Sequence, residues 1–319
     1  MKQKPSPKQF KARPVKSSAR AEVVCFGFVV PAYVITVDAL PEYNTGGLIR
    51  QVDEFISDDA AIVACLLRGW SMATGLIGTT LGADARGRKV VRQLKRMGVL
   101  GNFRLSKSVT TPVEINISDR TGARTYFWQR EPHLLDTLDT ADLTLIAGAR
   151  MLYADWYDGH HILRALQEAN EQKVPVYLNI EYAHADPEIL SGYARRATIC
   201  QAVTDPAQRA GDVVSIAHKL LAAGVEIALV TMSRDGCLAA RDGEMLYASA
   251  PSVDAVDGCG AGAAFSAAFI YAHLRGWEFE ECVRFGVAAG SVKVTRLGLS
   301  DLHVEEIMQV ARQVKVSGL

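Results

Sequence analysis

No apolar run in this 319-residue chain approaches the roughly 20 residues needed to cross a bilayer, and the N-terminus lacks the apolar stretch at the heart of a secretory signal. Those absences lead us to expect a soluble, cytoplasmic protein. The six cysteines, Cys25, Cys65, Cys200, Cys237, Cys259 and Cys282, include no C-x-x-C pair, so zinc and dithiol redox chemistry have no foothold and buried thiols are expected. No repeat at a solenoid period is present. The first 20 residues contain no acid at all: seven of the 35 basic residues fall there, which leaves the rest of the chain acidic by seven charges. With Pro5, Pro7, Pro14 and several serines, this stretch cannot bury enough apolar surface to fold, and a disordered basic tail over residues 1–21 is expected.

What remains is 49% hydrophobic and 22% charged, enough for one large core over residues 22–319. The continuous apolar run Val23 to Val30 reads as a strand covered on both faces. Ala73 to Ile77, Leu143 to Ala147, Val174 to Ile180, Thr198 to Val203 and Glu226 to Thr231 read as further strands. Between them, helical spacing recurs at Val90, Leu94 and Met97, at Ile162, Leu166 and Ala169, and at Ile216, Leu220 and Leu221. This alternation predicts an α/β fold with a mostly parallel sheet flanked by helices. Two stretches, within 33–52 and 113–128, break the rhythm; the second approaches a turn at Asp119 to Gly122, and both are expected to form a small β lid.

The segment Asp257-Gly258-Cys259-Gly260-Ala261-Gly262-Ala263-Ala264-Phe265 runs into a helical stretch, Ser266 to Arg275. A Gly-x-Gly turn at a helix N-terminus converges backbone N–H groups on an anion, and the helix dipole adds partial positive charge there. The segment resembles the C-terminal signature D-T-x-G-A-G-D-A-F of the PfkB/ribokinase family of carbohydrate kinases, with Asp257, Gly260, Ala261, Gly262, Ala264 and Phe265 matching. Gly78 to Gly87 resembles the family's G-x-x-G-x-D-x-x-G element, Thr231 to Gly236 its T-x-G-x-x-G turn, and Ala288 to Gly298 its adenine-side helix and loop.

The resemblance implies a ribokinase-like fold and ATP-dependent phosphorylation of a sugar hydroxyl, with magnesium. It places an anion hole at Gly260, Ala261 and Gly262 and nucleotide contacts at Thr231, Ser233, Gly236, Ala288 and Gly298. A nucleotide and a sugar-like small molecule are the implied partners, and a homodimer the implied assembly.

Against that pattern stand several departures. Ala263 occupies the position of the family's catalytic Asp and can accept no proton. Alignment puts Ala32 where a carboxylate grips the sugar, and Ser57 to Ile62, with Asp58, Asp59 and Ile62, in place of G-G-x-x-x-N. The N-x-x-E motif falls on Thr204 to Ala207. Base, sugar pocket and metal helper are altered together, which implies phosphoryl transfer impaired or lost with nucleotide binding retained: a pseudokinase.

Two alternatives stay open: an active sugar or nucleoside kinase with a relocated base, and a non-enzymatic scaffold whose basic tail meets nucleic acid or protein. Asp58 and Asp59 read as an N-cap pair ahead of the apolar helix Ile62 to Leu67, and Asp257 as a turn-stabilising residue. His160, His161, His184, Asp155, Asp158 and Glu181 fit no metal-site spacing and read as polar loops at strand ends, so no metal ligands are expected. Arg124 and Arg130 read as solvated charge, and Tyr126, Phe127 and Trp128, with Trp156 and Tyr157, as a lid or dimer contact.

Overall fold

A computed structural model describes residues 20–120, 124–204, 212–299 and 302–319. Residues 1–19 of the tail expected to be disordered, the tip of the turn after Asp119, and most of the Thr204 to Ala207 motif lie outside those residues; the tail's last residue, Ala21, is instead packed in the core.

The run Val23 to Val30 does not form one strand. It makes β1 (Val23–Gly27), turns through Phe28 and Val29, and enters a second sheet as β2 (Val30–Val37), which pairs with β3 (Ile49–Ser57). Hydrophobicity alone cannot register that change of sheet, because both halves are buried. After α1 (Asp59–Gly69) come β4 (Thr74–Gly78), the short β5 (Leu81–Gly82), α2 (Ala85–Met97) and β6 (Leu105–Ser106). β7 (Val113–Ser118) and β8 (Arg124–Gln129) follow.

The expected strand at Leu143 to Ala147 is instead a single helical turn, Thr144–Ile146, and the sheet is continued by β9 (Met151–Asp155). Its sequence, Met-Leu-Tyr-Ala-Asp, contains no β-branched residue, so local propensity pointed to the wrong segment. The alternation then runs α3 (Leu163–Glu171), β10 (Val176–Asn179), α4 (Pro187–Gly192), β11 (Ile199–Val203), α5 (Val213–Ala222) and β12 (Ile227–Thr231). β13 (Cys237–Arg241), β14 (Glu244–Ser249), α6 (Ala261–Leu274), α7 (Phe279–Val294), α8 (Val304–Ala311) and β15 (Lys315–Gly318) complete it.

The central sheet has the order β15-β14-β13-β12-β11-β10-β9-β1-β4. Pairing is parallel from β4 to β12 and antiparallel from β12 to β15. Alternate residues of β1 serve opposite faces: Val23 and Cys25 join the core under α1 and α6 to α8, while Val24 and Phe26 join the one that includes α3 and α5. The smaller sheet, β3-β2-β7-β8, is the expected lid. Its strand β2 leaves directly from the C-terminal end of β1, the end of a parallel strand at which open α/β sheets gather their ligands.

The glycines of the Gly78 to Gly87 element have a packing reason. Asp84 caps α2 by accepting from Gly87 N at 2.8 Å and also takes Thr111 N at 3.0 Å. A Cβ on Gly87 would stand 2.1 Å from Gly82 O, so only a bare Cα lets the helix start pack on that turn. Gly87→Ala should therefore lower the urea midpoint, even though alanine in a helix is ordinarily favoured by about 1 kcal/mol. A raised midpoint would mean that the Gly82 backbone yields freely.

Candidate functional site

At one end of the cleft lies the glycine turn. Gly260, at φ 76°, is the N-cap of α6, and a Cβ there would meet Ile62 and Leu299 at 3.2 Å. Ile62, expected in the substrate pocket, is thus a buried apolar neighbour of the turn. A Cβ on Gly262 would meet nothing within 4 Å, whereas Ala263, in the first helical turn, is fully buried in the apolar core. Ala261 N donates to Gly258 O at 3.4 Å and the helical ladder begins with Ala264 N to Gly260 O at 2.9 Å, which leaves the N–H groups of Gly262 and Ala263 without an intrahelical acceptor.

Asp257 holds this turn in place. Its buried carboxylate takes Lys293 Nζ at 2.7 Å, Cys259 N at 3.0 Å, Ser118 Oγ at 3.1 Å and Gly298 N at 3.3 Å. Lys293 also donates to Asp257 O at 2.9 Å, and both side chains are inaccessible to solvent. Burial pulls the Lys293 ammonium below the usual lysine range, and the Asp257 charge opposes that shift. Sequence reading found Asp257 but not its partner, which lies 36 residues away on α7.

At the other end, β1, β9, β10 and α1 bring carboxylates together. Asp58 is the N-cap of α1, at φ 76°, and accepts from Asp59 N at 2.9 Å. Asn179 Nδ2 reaches Asp59 Oδ2 at 3.4 Å and also bonds Glu181. Asp155 closes β9, and Asp158 Oδ2 accepts from Phe28 N at 2.9 Å. Ala32, fully buried on β2, is paired with Glu114 on β7, so the lid returns a carboxylate beside the position where alignment found none.

Burial pushes these acids up, and their mutual repulsion adds to it. Asp58 and Asp155 rise well above the ordinary carboxylate range, Asp158 rises to about 7, and Glu181 to about 8. Asp155 and Glu181 stand at strand ends, as read from sequence, and with Asp158 they gather beside Asp58 and Asp59. Composition gave no signal for this, since only the strand order brings residues 58, 114, 155 and 181 together.

Between the two ends stands Arg124 of β8. Burial works against its charge, but Cys259, Asp59, Asp257 and Glu114 outweigh it and hold the guanidinium protonated. The residue is exposed, as expected of a solvated charge, but it stands close enough to the acids of both ends for them to act on its ionisation.

Among the nucleotide contacts implied by resemblance, Thr231 ends β12 and Ser233 lies exposed in the following turn at φ 54°. Serine here keeps the left-handed conformation that the pattern's glycine would supply. Gly236, at φ 100°, has no room for a Cβ, which would stand 1.9 Å from Ala248 O. Ala288 is fully buried inside α7 and packs the core, presenting no surface to a nucleotide. Gly298 is wedged between Asp257 and Asp53 of β3.

For magnesium, only Thr204 of the Thr204 to Ala207 motif falls among the described residues, and its hydroxyl donates to Thr231 O at 3.1 Å. No described residue there offers a carboxylate to a metal. The one described group spaced closely enough to hold an ion, Asp136, Asp139 and His161, has its histidine just ahead of α3 and includes none of the carboxylates named above.

Lys293→Met should cost about 3–5 kcal/mol in urea unfolding, because it strands a buried carboxylate. Adding Asp257→Asn should recover part of that loss, and strictly additive effects would show the pair to be uncoupled.

A second expectation concerns pH. Asp158 and Glu181 bind protons more tightly folded than unfolded, so the stability they confer is complete below their ordinary values near 4 and is lost as pH rises through about 7 to 8. Asp158→Asn and Glu181→Gln should flatten the fall in thermal midpoint between pH 5 and 8, and an unchanged slope would contradict the assignment.

Comparison with known proteins agrees with this geometry. The chain is 29% identical over 153 residues to a 1-phosphofructokinase of Haloferax volcanii, a match covering 48% of this chain and only 50% of that protein. It is 22% identical over 311 residues to a 5-dehydro-2-deoxygluconokinase of Geobacillus thermodenitrificans, covering 86% and 91%. Its fold matches the ribokinase of Thermotoga maritima with a TM-score of 0.73 at 20% identity, over 92% of this chain and 99% of that one. With the pattern of the pfkB family carbohydrate kinases matched across residues 21–306, the chain belongs to that family.

Proposed function

We propose that this protein binds a nucleotide through the glycine turn of α6 and a sugar-like small molecule under the lid, and that phosphoryl transfer between them is lost or weakened by orders of magnitude. One observation carries the reading: Gly262, at the start of α6, is partly exposed with a backbone N–H that has no intrahelical acceptor, while the next residue, Ala263, is a fully buried methyl. An anion can be held there by backbone dipoles alone. Withdrawing a proton from an attacking hydroxyl needs a basic atom within about 3 Å of it, and a methyl offers none. Removal of a general base alone costs about 10² to 10⁴ in rate.

The fit to a nucleotide phosphate rests on those amides, on Arg124, and on the neutralisation of Asp257 by Lys293, which keeps an uncompensated negative charge away from an incoming phosphate. ATP is the nucleotide the family predicts. The lid edges β3 and β8, with Tyr126, Phe127 and Trp128 exposed, suit pairing with a second copy of the chain.

A second reading, an active kinase with a relocated base, is favoured by Asp158 and Glu181. Carboxyls that titrate near neutrality in a cleft are suited to proton transfer. The test is calorimetric binding of ADP and ATP, beside phosphorylation of a sugar and nucleoside panel by the unaltered chain and by Ala263→Asp. Expected are nucleotide binding without turnover in the unaltered chain and at most slight turnover in the variant. Brisk turnover by the unaltered chain would establish the second reading, and absence of nucleotide binding would defeat both.

A further inference from the structure

The floor of the cleft gathers more carboxyl groups than the cations around it could offset if all were ionised. Asp58, Asp59, Glu114, Asp155, Asp158 and Glu181 act on one another's ionisation there. Among the described residues, the cations that bear on them most strongly are Arg124, Arg130 and, when protonated, His161. None of these counts among the strongest influences on Asp58 or Asp155, whose close charged neighbours are all acids.

An acidic cluster alone need not be a site, because the acids can simply keep their protons. Here a second feature accompanies it: two fully buried oxygens, Asp155 Oδ2 and Asp158 Oδ1, have no hydrogen-bond partner, and the fully buried Tyr153 hydroxyl lies against Asp59 beside them. The Tyr153 ring belongs to no acid, yet its hydroxyl sits among Asp59, Asp155 and Glu181. Leaving those two oxygens unmatched costs about 1–3 kcal/mol each, a cost that a bound donor would relieve.

We propose that this cleft takes an amine-bearing polyhydroxylated small molecule, such as an amino sugar or amino cyclitol, with its ammonium against the acidic floor and its hydroxyls toward Tyr153 and Asn179. Asp58, Asp59 and Glu181 are partly exposed and form the face the ammonium meets, with Asp155 and Asp158 behind them. A bare metal ion fits less well, because no three of these carboxylates bring ligand atoms within 4.8 Å of one another. Their spread suits donors distributed over a ring. A neutral sugar supplies the hydroxyls but not the missing positive charge, so the acids would stay protonated around it.

The proposal deepens the reading of the cleft as a small-molecule pocket and rests on it, but it does not depend on nucleotide binding or phosphate transfer. It is tested by calorimetry without nucleotide, at pH 7 in two buffers of different ionisation enthalpy. The probes are glucosamine, galactosamine and 2-deoxystreptamine, against glucose, galactose and N-acetylglucosamine.

At least one amine should bind more tightly than every neutral probe by at least about tenfold, the equivalent of a single pKa unit. Its binding should also release protons to the buffer. Asp155→Asn and Asp158→Asn, which keep the side-chain shape, should each reduce that preference. Because the preference is read first on the unaltered chain, an unstable variant does not blunt the test.

Neutral probes binding as well as the amines would overturn the proposal, as would failure of all three amines to bind at millimolar concentration. ADP titrated into the same preparation tests the phosphate end separately, so either reading can fail alone.

Discussion

Everything at the phosphate end depends on one buried ion pair. Asp257 sits just before the glycine turn, and its carboxylate gathers donors from β7, from the turn itself, from α7 and from the loop at Gly298. A lone carboxylate at that depth would cost several kcal/mol. With Lys293 at 2.7 Å and three further donors, the charge is matched and its oxygens are used. The consequence is geometric as much as energetic. Lid, helix start and C-terminal loop share a single oxygen pair, so the turn keeps its shape whatever residue follows Gly262.

That arrangement lets the turn keep its shape with alanine at position 263. The backbone amides of α6 are oriented by Gly260 and Asp257, not by the side chain at 263, which faces the core. Replacing a carboxylate by a methyl in a fully buried first turn removes a group that would need its own partners. It also forgoes the helix-dipole stabilisation an acid would gain there, about 0.3–1 kcal/mol. The first effect exceeds the second, so alanine is the more stable choice for the fold and the poorer one for proton transfer, as expected where stability and activity pull apart.

How far the sequence revealed all this varied with the range of the contact. The glycine turn, the capped helix after Asp58, the parallel core and the small sheet were legible, because each depends on local spacing and turn chemistry. The split of Val23 to Val30 between two sheets was not, since burial on every face erases the alternation that marks a change of partner. β9 was missed because Met-Leu-Tyr-Ala-Asp is buried by its position between β1 and β10 and not by its own propensity. Lys293, Glu114 and the gathering of Asp155 with Asp158 were passed over for the same reason: their roles exist only after strands distant in sequence become neighbours.

The two ends of the cleft then differ in what the fold would favour. At Ala263 the chain has taken the more stable option. At the strand ends it has not: Asp155 and Asp158 remain charged-type side chains in full burial with unmatched oxygens, where asparagine, serine or alanine would relieve repulsion. Natural sequences break local rules of this kind mainly where a site requires it. The acids give the core no packing advantage that neutral residues of similar size would lack, and they lie beneath the lid and beside Arg124. The constraint that holds them there acts on what enters the cleft.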